Sequence, residues 1–114
     1  MTENPALSLN MKAVAANYRI IGSHLAEGAT AAAVVKDDAY GLGMLECSRA
    51  FHQEGCRFFF VATLDEALEF RQAFPDWPVA VLHGFGGAQT SSALKPYIQN
   101  NLIPVLNTLH EVHL

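Results

Sequence analysis

Four short runs of this chain are apolar without interruption, and they narrow the folds open to it more than any other feature. Residues 31–35 read Ala-Ala-Ala-Val-Val, 58–62 Phe-Phe-Phe-Val-Ala, 79–82 Val-Ala-Val-Leu and 103–106 Ile-Pro-Val-Leu. A strand with one wet face alternates apolar and polar residues. A run without alternation is covered on both faces, the usual state of a strand in a parallel sheet. The segments between the runs have helical spacing. Asn10 is placed as N-cap of a helix to about residue 27, with Val14, Ile20, Ile21 and Leu25 at helical intervals and Gly28 closing it. A second helix is expected over 45–53, stopping at Gly55. Thr63-Leu-Asp-Glu66 has the form of a capping box, hydroxyl at N-cap and carboxylate at N3, opening a helix over 64–73 that turns Leu64, Ala67, Leu68 and Phe70 inward. Another helix is expected over 92–100.

The expected order is therefore β-α-β-α-β-α-β-(α), with strands over 31–36, 58–62, 79–82 and 103–106, and a further short strand over 7–9. Short connections and uniformly apolar strands imply an α/β fold with a parallel sheet and helices outside it. A second capping box, Thr108-Leu-His-Glu111, opens a helix, and the chain stops at Leu114. A helix begun and left unfinished makes the chain look truncated.

At 114 residues the chain suffices for one modest domain. Apolar residues make up 51% and charged residues 16%, a composition that calls for a large buried core. The net charge is −4 and the seven basic residues do not cluster, which argues against nucleic acid or an anionic membrane as partner. Cys47 and Cys56 lack metal-type spacing and are expected as buried free thiols. The first ten residues lack the basic and apolar regions of a signal peptide, and no run reaches the length of a membrane span, so the expected compartment is the cytoplasm. The five histidines show no metal-ligand pattern, and His110 and His113 are expected to face solvent.

Chemistry concentrates where the first apolar run ends. Lys36 closes it, and Asp37, Asp38, Tyr40, Gly41 and Gly43 follow at once. A lysine at a strand end is ordinarily a snorkelling side chain with its ammonium in water. Set in a pocket, a desolvated lysine amine is a nucleophile for carbonyl carbon. The C-terminal ends of strands in an α/β barrel are where such groups project. Tyr40 is placed either as an amphipathic core-edge tyrosine or as a phenol reaching an anion such as a phosphate. If Lys36 points into a barrel, Asp37 points outward by the period of two; it then sits in water past the strand end or has a partner. The glycine-rich loop 83–89 lacks the spacing of a phosphate cradle and reads as a flexible turn.

These residues resemble a known family. The stretch AVVKDDAYGLG is similar to the cofactor-lysine motif of alanine racemases, whose usual form is AVVKA, then Asn or Asp, then AYG, any residue, and G. VATLDEALEFR at 61–71 resembles that family's second strand and helix, PVAVLHG at 78–84 its third strand, LIPVLNTLHEV its fourth strand and helix start, and LSLNMKAVAANYRII its opening strand and first helix. The resemblance implies a (β/α)8 TIM-like barrel dependent on pyridoxal 5′-phosphate (PLP), followed by a β-rich domain. It also implies a homodimer that interconverts L- and D-alanine, the latter for peptidoglycan. Lys36 matches the lysine that holds PLP and moves the α-proton on the D-alanine side. Tyr40 matches the tyrosine on the PLP phosphate, and Val34 and Leu82 match apolar residues lining the cofactor.

Two departures stand out. Asp37 replaces the family's usual alanine and adds charge beside the lysine. A full barrel takes about 250 residues, so the resemblance implies only its first four β/α units: an N-terminal strand and helix over 1–30, then the first half of the barrel over 31–114. The second base (a tyrosine from the partner's C-terminal domain) and the arginine facing the pyridine nitrogen are not in these residues. The chain alone is therefore expected to be inactive, with strand four an open edge. A non-catalytic PLP-binding module and another PLP barrel enzyme, such as a broad-specificity amino-acid racemase, are the alternatives. A decarboxylase of this fold lacks the AYG-x-G continuation.

Overall fold

Strands β1 (Ala33–Val34), β2 (Phe59–Val61), β3 (Val79–Val81) and β4 (Ile103–Pro104) pair side by side in chain order, every pair parallel. This is the arrangement in the computed structural model, which describes residue 6 and residues 8–114. Sequential parallel strands with right-handed crossovers place every connecting helix on one side of the sheet, as in a barrel. Those connections are α2 (Lys36–Tyr40) and α3 (Met44–Gln53) after β1, and α4 (Leu64–Ala73) after β2. A 3-10 turn (Ser91–Ala93) running into α5 (Leu94–Gln99) follows β3. Helix α1 (Met11–Ser23) precedes the sheet and α6 (Leu109–Val112) follows it.

The register divides the strands cleanly. Ala33, Phe59 and Val79 align across one face, and Val34, Phe60, Ala80 and Ile103 across the other. Phe59, Val61, Val79 and Val81 are wholly buried and join Ala67 and Phe70 of α4 and Met44 and Cys47 of α3 in the main core. Burying each such large apolar side chain contributes about 1.5–3 kcal/mol. On the opposite face Val34 is 43% and Ile103 42% exposed, so that face is incompletely covered.

Thr63 caps α4 as the sequence predicts. Its Oγ1 accepts the Glu66 N–H at 3.3 Å while Glu66 Oε1 accepts the Thr63 N–H at 3.1 Å. Ala67 and Phe70 of α4 are buried. At the other end, the Arg71 guanidinium donates to the carbonyls of Phe74, Pro75, Trp77, Asn100 and Asn101 at 2.7–3.2 Å. One side chain thus ties the end of α4 to the end of α5. Around it, Trp77 stacks on Phe74 at 3.9 Å and on His52 at 3.7 Å between ring centroids.

Several boundaries differ from expectation. Helix α1 ends at Ser23 rather than near residue 27, because residues 21–30 are exposed and offer no core to stabilise another turn. Its packed stripe is Met11, Val14 and Tyr18; Ile20 and Ile21, apolar at helical intervals in the sequence, are 55% and 57% exposed. Tyr18 donates its hydroxyl to the Ala31 carbonyl at 2.8 Å and sets Phe51 of α3 at 5.8 Å between centroids. Strand β1 covers two residues rather than six, and β4 two rather than four. The strand expected over 7–9 is absent at Ser8 and Leu9, and Leu7 lies outside the described residues. Cys47 and Cys56 are buried free thiols, and burial pushes the Cys47 thiol up. His110 and His113 face solvent.

Two outcomes follow from this packing. Arg71→Lys retains the charge and loses the fork that reaches five carbonyls, so urea denaturation is expected to show a loss of about 2–3 kcal/mol. Burial beside Trp77, with Arg57 nearby, lowers the pKa of His52, so the unfolded chain takes up that proton at higher pH than the folded one. Stability is then undiminished by this group above the ordinary imidazole pKa of about 6.5 and declines as pH falls below it. Thermal melts from pH 7.5 to 5 should show a shallower decline in His52→Phe than in the parent chain.

Candidate active site at the sheet's carboxyl rim

Because the strands are parallel, their carboxyl ends share one rim, and Lys36 emerges there two residues beyond β1. Val35 before it is wholly buried and donates its N–H to the Phe60 carbonyl at 2.9 Å, so the base of the lysine is anchored in the sheet. Lys36 itself is half-buried. Rather than ending a strand, as the sequence reading had it, it opens the one-turn segment α2. There the backbone changes hand: Asp37, Asp38, Ala39 and Tyr40 all have φ between 52° and 56°. Such a left-handed turn costs roughly 1–2 kcal/mol per residue with a Cβ.

The turn is held from three directions. Within it, the Gly41 N–H donates to the Asp37 carbonyl at 3.0 Å and the Gly43 N–H to the Asp38 carbonyl at 2.8 Å. Gly41, at φ 85°, extends the left-handed run without the Cβ penalty. On one flank Asp38 Oδ1 accepts the Met44 N–H at 2.8 Å, satisfying a free donor at the start of α3. On the other, Glu66 Oε2 accepts the Asp37 N–H at 2.6 Å. The two acids thus separate. Asp38 is a helix cap, and Asp37 lies past the strand end with its side chain in water.

The candidate site residues do not all converge. Lys36 Nζ stands 5.8 Å from the centroid of the Tyr40 ring, within range of a cation–π contact. Among the described residues the one ion pair is Arg19–Glu54, so the Lys36 amine has no carboxylate partner. Tyr40 is 64% exposed, its phenol standing out at the rim. Val34 lies on the less covered face of the sheet, in register with Phe60 and Ala80, and Leu82 follows β3 two residues beyond Ala80. Leu82 is half-buried and donates its N–H to the Val61 carbonyl at 2.8 Å.

The loop after β3 is a hydrogen-bonded turn. The N–H groups of Gly84, Gly86 and Ala88 donate to the carbonyls of Val81, His83 and Phe85 at 2.9–3.1 Å, and Phe85 is buried. Gly84 has φ 54°, and a Cβ there would overlap the Val105 carbonyl oxygen, so only glycine fits. The Tyr97 hydroxyl donates to the Gly84 carbonyl, and burial together with nearby Glu111 pushes that phenol's pKa up. Among the described residues no three His, Cys, Asp or Glu side chains gather to hold a metal. No helix among them is long and apolar enough to cross a membrane.

Reading the sequence singled out Lys36, Tyr40, Val34 and Leu82 and missed Glu66 and Asp38 as parts of this site. A signal for Glu66 was available. Thr-Leu-x-Glu occurs twice, at 63–66 and 108–111, each time just after a strand.

Comparison with known proteins agrees with this fold. The family model described as "Alanine racemase, N-terminal domain" matches residues 9–114. The alanine racemase of Rickettsia prowazekii is 38% identical over 109 residues, 95% of this chain and 26% of that protein. That of Brucella suis is 41% identical over 108 residues, 93% of this chain and 26% of that protein. The crystal structure of alanine racemase from Bartonella henselae, with covalently bound pyridoxal phosphate, superposes with a TM-score of 0.81 at 36% identity, covering 91% of this chain and 28% of its own. Alanine racemase from E. faecalis gives a TM-score of 0.79 at 30% identity, covering 91% and 27%. The chain spans about a quarter of the length of the curated relatives it matches. Its four parallel strands, its alternating helices and the match across residues 9–114 make this chain a member of the alanine racemase N-terminal domain family.

Proposed function

We propose that this chain provides the cofactor-anchoring part of a PLP-dependent alanine racemase, an isomerase of the cytoplasm that forms D-alanine for peptidoglycan and works as a homodimer. The observation that carries the reading is Lys36: a half-buried lysine with no carboxylate partner among the described residues, at the carboxyl rim of a parallel sheet, on a turn fixed from both flanks. The residues present suit the group. Lys36 supplies an amine that no described carboxylate pairs with, for the aldehyde carbon. Tyr40 holds a phenol at the rim, where it can donate to a phosphate oxygen. Val34 and Leu82 offer apolar surface on the sheet face left open. When bound, the cofactor supplies the electron sink that makes the α-proton of an amino acid acidic. Lys36 Nζ then takes and returns that proton on one face of the α-carbon. The two buried free thiols suit a reducing compartment.

Racemisation needs a proton-transfer group on each face of the α-carbon, and these residues place one amine at the rim. Incubating the chain with PLP and reducing with borohydride should label Lys36, as peptide mapping by mass spectrometry would show. Lys36→Ala should abolish that label. Equal labelling of Lys12 or Lys95, or label that survives Lys36→Ala, would sink the assignment. In the same samples D-alanine formation from L-alanine is expected to stay at background, and robust turnover would show that both proton-transfer groups are present here.

A further inference from the structure

One carboxylate, that of Glu66, links two elements that carry different parts of the site. Its Oε1 accepts the N–H groups of Ala62 at 2.8 Å and Thr63 at 3.1 Å, completing the cap of α4. Its Oε2 leaves that helix and accepts the N–H of Asp37 at 2.6 Å, a residue 29 positions earlier. This N–H belongs to the peptide joining Lys36 to Asp37, so the bond fixes the backbone on the carboxyl side of the lysine at the point where φ turns to 52°.

The second capping box shows that such a link is not an automatic product of the motif. Glu111 occupies the same place in Thr-Leu-x-Glu, and Thr108 Oγ1 accepts its N–H at 3.1 Å. Its Oε1 accepts the Asn107 N–H at 3.3 Å, yet its buried Oε2 has no hydrogen-bond partner among the described residues. At β2 the same carboxylate position reaches back to the turn of the preceding strand. At β4 it does not.

We propose that Glu66 is a positioning residue for Lys36: by holding the Lys36–Asp37 peptide it sets the direction in which the lysine side chain leaves the rim, without contacting the amine. The proposal rests on the reading of Lys36 as the aldehyde-anchoring lysine. Glutamine at 66 has one acceptor oxygen, so it can serve the cap or Asp37 and not both, and its amide N–H would face a donor. Thr63→Ala is the matched control. It removes the hydroxyl from the cap and leaves the carboxylate in place.

The experiment combines amide hydrogen exchange by NMR on the chain without cofactor with the rate of borohydride-trapped PLP labelling at Lys36. In the labelling, the lysine amine condenses with the aldehyde with loss of water, and hydride from borohydride reduces the C=N bond formed. In Glu66→Gln the Asp37 amide is expected to exchange at least about tenfold faster than in Thr63→Ala, and labelling to slow about tenfold. Thr63→Ala should leave both within about twofold of the parent. Equal changes in the two variants would overturn the proposal, since loss of the cap would then explain everything. So would an Asp37 amide that exchanges at the open-peptide rate in the parent chain. Should Glu66→Gln fail to fold, protection of Asp37 and undiminished labelling in Thr63→Ala support the brace, and loss of either overturns it. If the parent chain takes no label at Lys36, the anchoring role fails while Asp37 exchange still reports on the hydrogen bond.

Discussion

Sequential pairing of parallel strands is the constraint from which the rest of this structure follows. With β1 to β4 in chain order, the crossovers fall on one side, and Phe59, Val61, Val79 and Val81 are sealed under them. The opposite face receives no helix from these connections, which leaves Val34 and Ile103 partly open. The same arrangement gathers all four carboxyl ends at one rim. Lys36, the start of α4 and the built loop at Gly84 are neighbours there because of topology, not closeness in sequence.

The lysine turn shows how such a rim makes an unfavourable backbone persist. Four consecutive left-handed residues with side chains would together cost several kcal/mol, at about 1–2 kcal/mol each. Their positions are over-determined: Val35 is sewn into the sheet, Asp38 is spent on the first turn of α3, and Asp37 is held from α4. Strain of this kind survives only where the surroundings leave no alternative. A charged acceptor makes the stronger sort of hydrogen bond, and both flanking clamps use one.

Much of this was legible in the residues, for identifiable reasons. Uninterrupted apolar runs located all four strands, and Thr63 with Glu66 located the start of α4, because strands apolar on both faces and reciprocal capping leave local traces. The motif around Lys36 carried the family. Strand lengths were overread: an apolar run extends beyond the paired residues when, as at 31–32 and 106, the flanking backbone leaves the ladder. Ile20 and Ile21 misled for different reasons: Ile20 lies off the packed face, whereas Ile21 shares the face of Val14 but stands in the exposed stretch at the helix end, where nothing covers it. The reach of Glu66 to Asp37 was invisible, since nothing in a local pattern announces a partner 29 residues away. The hand of the turn was hidden too. Asp-Asp-Ala-Tyr has no glycine at the four positions that need positive φ, and only tertiary clamps force it there.

That reversed hand has a stereochemical consequence. At φ 54°, ψ 49°, Ala39 sits at the mirror image of right-handed helical backbone, the geometry a D-amino acid prefers. Its side chain is a buried methyl. A chain assembled by chemical ligation with D-alanine at position 39 would keep every atom type and relieve the backbone there, at the expense of moving that methyl. Chirality at one α-carbon could therefore be tuned in a turn otherwise intolerant of change, separating the demands of the backbone from those of the core beneath it.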